Sequence, residues 1–151
     1  MCKICCDIDQ SKRLQAIGID PSTSDMYYTP SPGFCTAVDC LKVGNYEYDH
    51  PRSVPVWSLQ KLLNMLPEYL VGINEFGCHF NYLHIGKDQI CYDKMISSPQ
   101  SDDLVDCCVS MLEWLHNNKE ELGLMNPEEM EEYRKEHFIE DENNDNSYYE
   151  Y

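Results

Sequence analysis

The sequence has no run approaching the ~20 apolar residues that a membrane-spanning helix requires, which argues against a transmembrane protein. Basic residues are few: 11 Lys and Arg stand against 27 Asp and Glu, a net charge of −16. Nucleic-acid phosphates and anionic membrane surfaces both demand clustered Lys and Arg. Direct binding to either is therefore not expected. Glycine is sparse, with seven residues, and none belongs to a Gly-rich phosphate loop. There is no His-Glu-x-x-His pair for a catalytic zinc, and no internal repeat. The stretch Met1 to Asp7 lacks the apolar segment of a secretory signal and turns acidic at once, so the chain is expected in the cytoplasm.

What is present is globular. Hydrophobic residues make up 42% of 151 positions, enough for one domain with a real core. The acidity is uneven. From Glu128 to Tyr151 there are ten acids against two bases, a net of −8 and half the total. Boundaries follow from this: a domain over 1–124, an acidic helix over 125–138 and an acidic, disordered tail over 139–151.

The clearest local design runs from Val54 to Pro67. Ser58 is placed as an N-cap. Leu59, Leu62, Leu63 and Leu66 recur at helical spacing, and Pro67 stops the helix, which predicts a helix over 58–66. Trp57, just before it, is read both as a packing residue and as a possible binding anchor. A second main helix is predicted over 102–118, with Leu104, Cys108, Met111, Leu112 and Leu115 as its stripe and Asp102 and Asp103 at its positive end. Asp7 and Gln10 form a capping box for an N-terminal surface helix, and Gly18 stands where a left-handed C′ residue belongs. Asn126-Pro127-Glu128-Glu129 starts the acidic helix.

Strands are expected at 25–28, in the 71–93 region with a turn at Gly86-Lys87-Asp88, and at Tyr46-Glu47-Tyr48 as an edge. Residues 34–53 otherwise show no sustained period and read as a long, partly extended connection. The fold class is α+β: a small antiparallel sheet packed by the two main helices, with the N-terminal helix at its edge and the acidic helix following.

Nine cysteines, an odd number, are read as free thiols of a reducing compartment. Cys2, Cys5, Cys35 and Cys40 form the one arrangement able to supply four thiolates to zinc; the alternative is that they are small buried hydrophobes. His79 and His84 fall on opposite faces of a strand, a poor ligand geometry. Ser58-x-x-Lys61 has the form of a nucleophile motif, but capping explains it and no partner motif accompanies it. No catalytic or cofactor-binding set is identified. Tyr27, Tyr28, Tyr46 and Tyr48, with Trp57, are the candidate interaction residues, because tyrosine pairs an apolar body with a polar edge.

Four patches carry a resemblance: Cys5-Cys6-Asp7-Ile8-Asp9-Gln10-Ser11-Lys12, Ser24-Asp25-Met26-Tyr27-Tyr28, Val54-Pro55-Val56-Trp57-Ser58-Leu59, and Val105 to Leu115. Together they resemble a family of small proteins encoded by phages and mobile elements of gut bacteria. That resemblance implies a bacterial host cell and no particular activity. The functional expectation is an accessory protein without enzymatic activity, acting by contact with a protein partner. Two alternatives are a small zinc-stabilised module and an acidic decoy imitating nucleic acid.

Overall fold

The structure is a computed structural model, and it describes residues 3–30, 39–46, 51–93 and 96–137. It is α+β, with helices α1 (Ile8–Ala16), α2 (Leu59–Met65), α3 (Leu104–Asn118) and α4 (Pro127–His137). The strands are β1 (Met26–Pro30), β2 (Asp39–Val43), β3 (Val54–Val56), β4 (Tyr69–Asn74), β5 (Gly77–Ile85), β6 (Ile90–Tyr92), β7 (Ile96–Ser97) and β8 (Leu124–Met125). They form two antiparallel sheets rather than one: three strands ordered β2-β1-β3, and five ordered β7-β6-β5-β4-β8.

The three-stranded sheet includes a strand absent from the sequence reading. β2 pairs along the whole of β1, Met26 opposite Val43 and Pro30 opposite Asp39. Its signal is short: Leu41, Lys42 and Val43 alternate over three residues only, and the apolar Val43 is itself exposed. β1 also runs further than expected, through Thr29 and Pro30. β3 reaches only Tyr28, so Pro30 costs no ladder bond on that side.

α1 shows the expected capping box. The Asp7 side chain accepts from Gln10 N–H at 2.8 Å, and Gln10 Oε1 accepts from Asp7 N–H at 3.0 Å. Its end is a Schellman motif: Gly18 takes φ +94°, its N–H donates to Gln15, and Ile19 N–H donates to Leu14. The helix is more deeply set than a surface helix, with Gln10, Ser11 and Leu14 buried. Its buried polar groups are satisfied, Gln10 Nε2 by Asp106 at 2.6 Å and Ser11 Oγ by the Pro55 carbonyl. That lets polar residues occupy a buried face which hydrophobic spacing alone could not reveal.

α2 begins after Ser58, whose hydroxyl accepts from Lys61 N–H at 3.1 Å, and stops at Leu66 before Pro67. α3 is the shared wall of the core, packing against α1, α2 and β6. Its buried side chains are Val105, Cys107, Cys108, Val109, Met111, Leu112 and Leu115. Trp57 is fully buried, with 0% exposure, and its indole N–H donates to Thr23 Oγ1 at 3.0 Å. The binding-anchor reading of Trp57 is thereby corrected: the ring has no surface to offer. α4 starts as expected, Asn126 Oδ1 accepting from Glu129 N–H at 2.8 Å. The tail over 139–151 lies outside the described residues. No helix among the described residues is long and apolar enough to cross a membrane.

Removing the Trp57 ring leaves a large cavity beneath the start of α2. Trp57→Ala is expected to cost about 3–5 kcal/mol in a denaturant titration, while truncating the exposed Lys12 should stay within about 0.5 kcal/mol.

Candidate functional site

Two groups of side chains stand out. The first is a polar knot at the N-terminal segment. Cys6 N–H donates to the Trp57 carbonyl at 3.0 Å, and Leu59 N–H donates to the Ile4 carbonyl at 2.9 Å. Lys3 N–H donates to Asp103 at 2.7 Å, and Lys3 Nζ reaches Asp106 at 2.8 Å and Asp7 at 3.3 Å. Asp25 grips the helix cap, accepting from Ser58 N–H at 2.8 Å and also from the Ser58 hydroxyl. The stretches around Cys5–Lys12, Ser24–Tyr28, Val54–Leu59 and Val105–Leu115 are thus tied to one another.

The chemistry of this knot is structural. The Ser58 hydroxyl is committed to Asp25 and to the cap, which leaves no nucleophile for Ser58-x-x-Lys61. Burial pushes the Cys5 thiol up, even though Tyr28 Oη lies 3.8 Å from its sulfur. Burial also raises Cys6 to about 11, Cys108 to about 12 and the Tyr28 hydroxyl to about 12. Thiols raised in this way stay protonated and poorly nucleophilic at neutral pH. Cys2 and Cys35 lie outside the described residues. Cys40 sits exposed on β2, opposite Thr29 of β1. Among the described residues no group of three or more His, Cys, Asp or Glu side chains could hold a metal ion.

Burial pushes the Asp106 carboxyl up, but hydrogen bonds from Lys3 and Gln10 outweigh it and hold the group below the ordinary carboxylate range. Lys3 is raised, by its hydrogen bond to Asp106 against the opposing effect of burial.

The second group lies on the β4–β5 hairpin. Asn74 Oδ1 accepts from Phe76 N–H at 2.9 Å, and Gly77 takes φ +118°, which turns the chain tightly. Register places Tyr69, Val71 and Ile73 opposite Tyr82, Phe80 and Cys78 on one face. α4 packs across part of that face. Val71 and Met130 are both buried there, yet neither belongs to the main core. Beside α4 a cleft of about 260 Å³ is lined by Tyr69, Pro127, Glu128, Met130, Glu131 and Arg134. It falls below the ~300–1,000 Å³ of a small-molecule site.

Beyond α4 the face is open. Phe76 is 90% exposed, Tyr82 54% and Phe80 44%, with Ile73 also exposed. The Tyr69 and Phe80 rings lie 5.6 Å apart, Tyr69 and Tyr82 6.1 Å, and Phe80 stacks with Tyr82 at 6.3 Å. Of the eight exposed large apolar side chains among the described residues, five are on this hairpin, Ile85 being the fifth. His84 Nε2 lies 3.0 Å from Asp93, but the pair is solvent-exposed, and among the described residues no nucleophile is hydrogen-bonded to it.

The candidate tyrosines are not gathered here. Tyr27 and Tyr28 sit half-buried on β1 of the other sheet, Tyr46 is half-buried after β2, and Tyr48 lies outside the described residues. The sequence reading did not single out Ile73, Phe76 or Tyr69. Its usable signals were the Asn74-Glu75-Phe76-Gly77 turn and the alternating Cys78, Phe80 and Tyr82 in a stretch without Asp, Glu, Lys or Arg. Comparison of the chain with protein-family models, curated proteins and solved structures finds no match.

The depressed Asp106 contributes stability that is present above its unfolded value near pH ~4 and is lost as the pH falls through its lower folded value. Asp106→Asn should cost about 1 kcal/mol at pH 7, a figure already discounted for its partial exposure. The gap to the parent should close below pH ~4 in acid-titrated unfolding curves. Thiol mapping by alkylation and mass spectrometry should label the exposed Cys40 and Cys78 in the native protein, and spare Cys5, Cys6, Cys107 and Cys108 until denaturant is added.

Proposed function

We propose that this chain is an accessory protein of a phage or mobile element, without enzymatic activity, which works in the host cytoplasm by contact with another protein. The observation that carries this reading is the open aromatic face of the β4–β5 hairpin. Aromatic side chains with little conformational entropy to lose are the usual anchors of protein contacts. A face bearing Tyr69, Phe80 and Tyr82, with Ile73 and Phe76 at its far end, supplies such anchors, and charged side chains lie only at its borders, Glu75 at the turn and Glu131 and Arg134 beside Tyr69. The polar groups that look most chemical, around Ser58, Asp25 and Asp106, are engaged in holding the N-terminal segment in place. The phage or mobile-element setting rests on the four resembling patches, and the cytoplasmic setting on the acidic, non-apolar start of the sequence together with the expectation of free thiols.

The triple variant Phe76→Ser, Phe80→Ser, Tyr82→Ser replaces exposed side chains only and should keep the parent's far-UV circular dichroism. Tagged full-length parent should retain a specific protein from lysate of a gut-bacterial host, and the triple variant should lose it by ~10-fold or more, as expected when hot-spot aromatics are removed. Equal capture by both, or no specific capture by the parent, would sink the reading.

A further inference from the structure

The outer face of the five-stranded sheet is covered over part of its width. α4 packs there on β4 and β8. Across β5 and β6 the same face carries Cys78, Phe80, Tyr82 and His84, all exposed, and the register continues it through Cys91 to the exposed Ser97. The other side of β6 packs on α3, with Ile90 and Tyr92 in the main core. Neighbouring strands lie ~4.8 Å apart. An axis laid over β5 and β6 is therefore ~10 Å from one laid over β4 and β8, the spacing of two packed helices. The open part of the face has the width of one more helix beside α4. A strand lying flat on this face would leave its own backbone unpaired, whereas a helix satisfies its own.

The floor of this slot is uncharged and its border is acidic. From Phe76 to Ile85 there is no Asp, Glu, Lys or Arg. Glu128 and Glu131 of α4 line the cleft beside Tyr69, with Arg134 as the one base among the lining residues. Lys135 approaches Glu131 at 3.8 Å, in an exposed pair. Glu75 stands at the turn, and Asp93 on the β6 side accepts from Tyr82 N–H at 3.3 Å. The rings do not form a flat floor. Tyr69 is inclined by 57° to Phe80 and by 58° to Tyr82, which makes a corner next to the Glu128 and Glu131 cleft.

We propose that this slot receives an amphipathic helix of a partner protein, its apolar stripe on Phe80 and Tyr82 and its flank toward α4 carrying Lys or Arg. The inference rests on the reading of this hairpin as the contact surface, and names the chemistry of the partner. Charge selects that chemistry. A chain carrying −16 draws a basic segment from a distance and repels an acidic one. At the corner, a guanidinium or ammonium meets the π faces of the rings on one side. On the other it meets the carboxylates of Glu128 and Glu131.

The probe is a fluorescent synthetic peptide of about 18 residues, with leucine at i, i+3, i+4, i+7 spacing and lysine elsewhere. Two companions carry glutamine or glutamate in place of lysine. Anisotropy with the full chain in about 0.15 M salt should give the lysine peptide a Kd of about 10 µM or tighter. The glutamine peptide should bind about 10-fold more weakly and the glutamate peptide not at all. Phe80→Ser with Tyr82→Ser should weaken the lysine peptide by about 10-fold or more. Glu128→Gln with Glu131→Gln should weaken it by about 5-fold. Asp9→Lys makes the same change in net charge on α1, which packs against α3 and β3. Its effect should stay below about 2-fold. All five substituted side chains are exposed, and circular dichroism checks each fold.

No binding of the lysine peptide, equal binding of the glutamine peptide, or full binding by the double serine variant would overturn the proposal. So would an Asp9→Lys effect as large as that of the double glutamine variant. If the lysine peptide fails while the triple serine variant still loses a captured protein, the basic helix fails and the contact reading stands. A peptide bound through Phe80 and Tyr82 by a chain that captures no lysate protein separates them the other way.

Discussion

The constraint on which the structure depends is the docking of the segment Lys3–Asp7 against the start of α2. Two backbone bonds, Cys6 to Trp57 and Leu59 to Ile4, hold the segment against the residue that precedes the helix cap. Trp57 is then closed in, and its backbone N–H donates to the Cys6 sulfur at 3.3 Å. Asp25 binds the adjacent Ser58, which fixes β1 to the same point. Asp103 and Asp106 receive Lys3, and Asp106 also receives Gln10, which brings in α3 and α1. A buried carboxylate is costly alone and acceptable when paired and hydrogen-bonded. Here the pairing is also what sets the relative placement of α1, α3 and the first sheet.

The sequence displays this arrangement unevenly. Caps are local: Asp7 with Gln10, Ser58 with Lys61 N–H and Asn126 with Glu129 N–H each involve residues three apart, and all were legible. So were the periodicities of α2 and α3, because burial of one stripe leaves its period in the sequence. What joins them was not. The bonds from Gln10 to Asp106 and from Ser58 to Asp25 depend on distant partners, and such partners leave no period. β2 escaped for a related reason: Leu41, Lys42 and Val43 alternate over three residues only, too few to show a period apart from the partner strand β1.

The candidate site was legible only in part. Tyrosine content drew attention to β1 and to Tyr46 and Tyr48, whereas exposure depends on what the fold lays over each strand. α4 covers Val71 and stops short of Phe80 and Tyr82. β6 pairs with the far end of β5 and leaves the near end bare. Both openings follow from element lengths: β5 has nine residues, while β6 has three and β8 two. A single aromatic count cannot register a mismatch of lengths between neighbouring strands.

The reach of the Lys3 contacts has a consequence for synthesis. Lys3 binds Asp103 across 100 positions and Asp106 across 103. The first described residue to leave the ribosome must therefore wait for nearly the whole domain before its partners exist. At roughly 5–20 residues per second, that interval lasts on the order of 5–20 s. Through that interval the pocket for Trp57 lacks one wall, and the apolar start of α2 is exposed. The nascent chain is open to chaperones and to proteases for that time, and closes when α3 emerges.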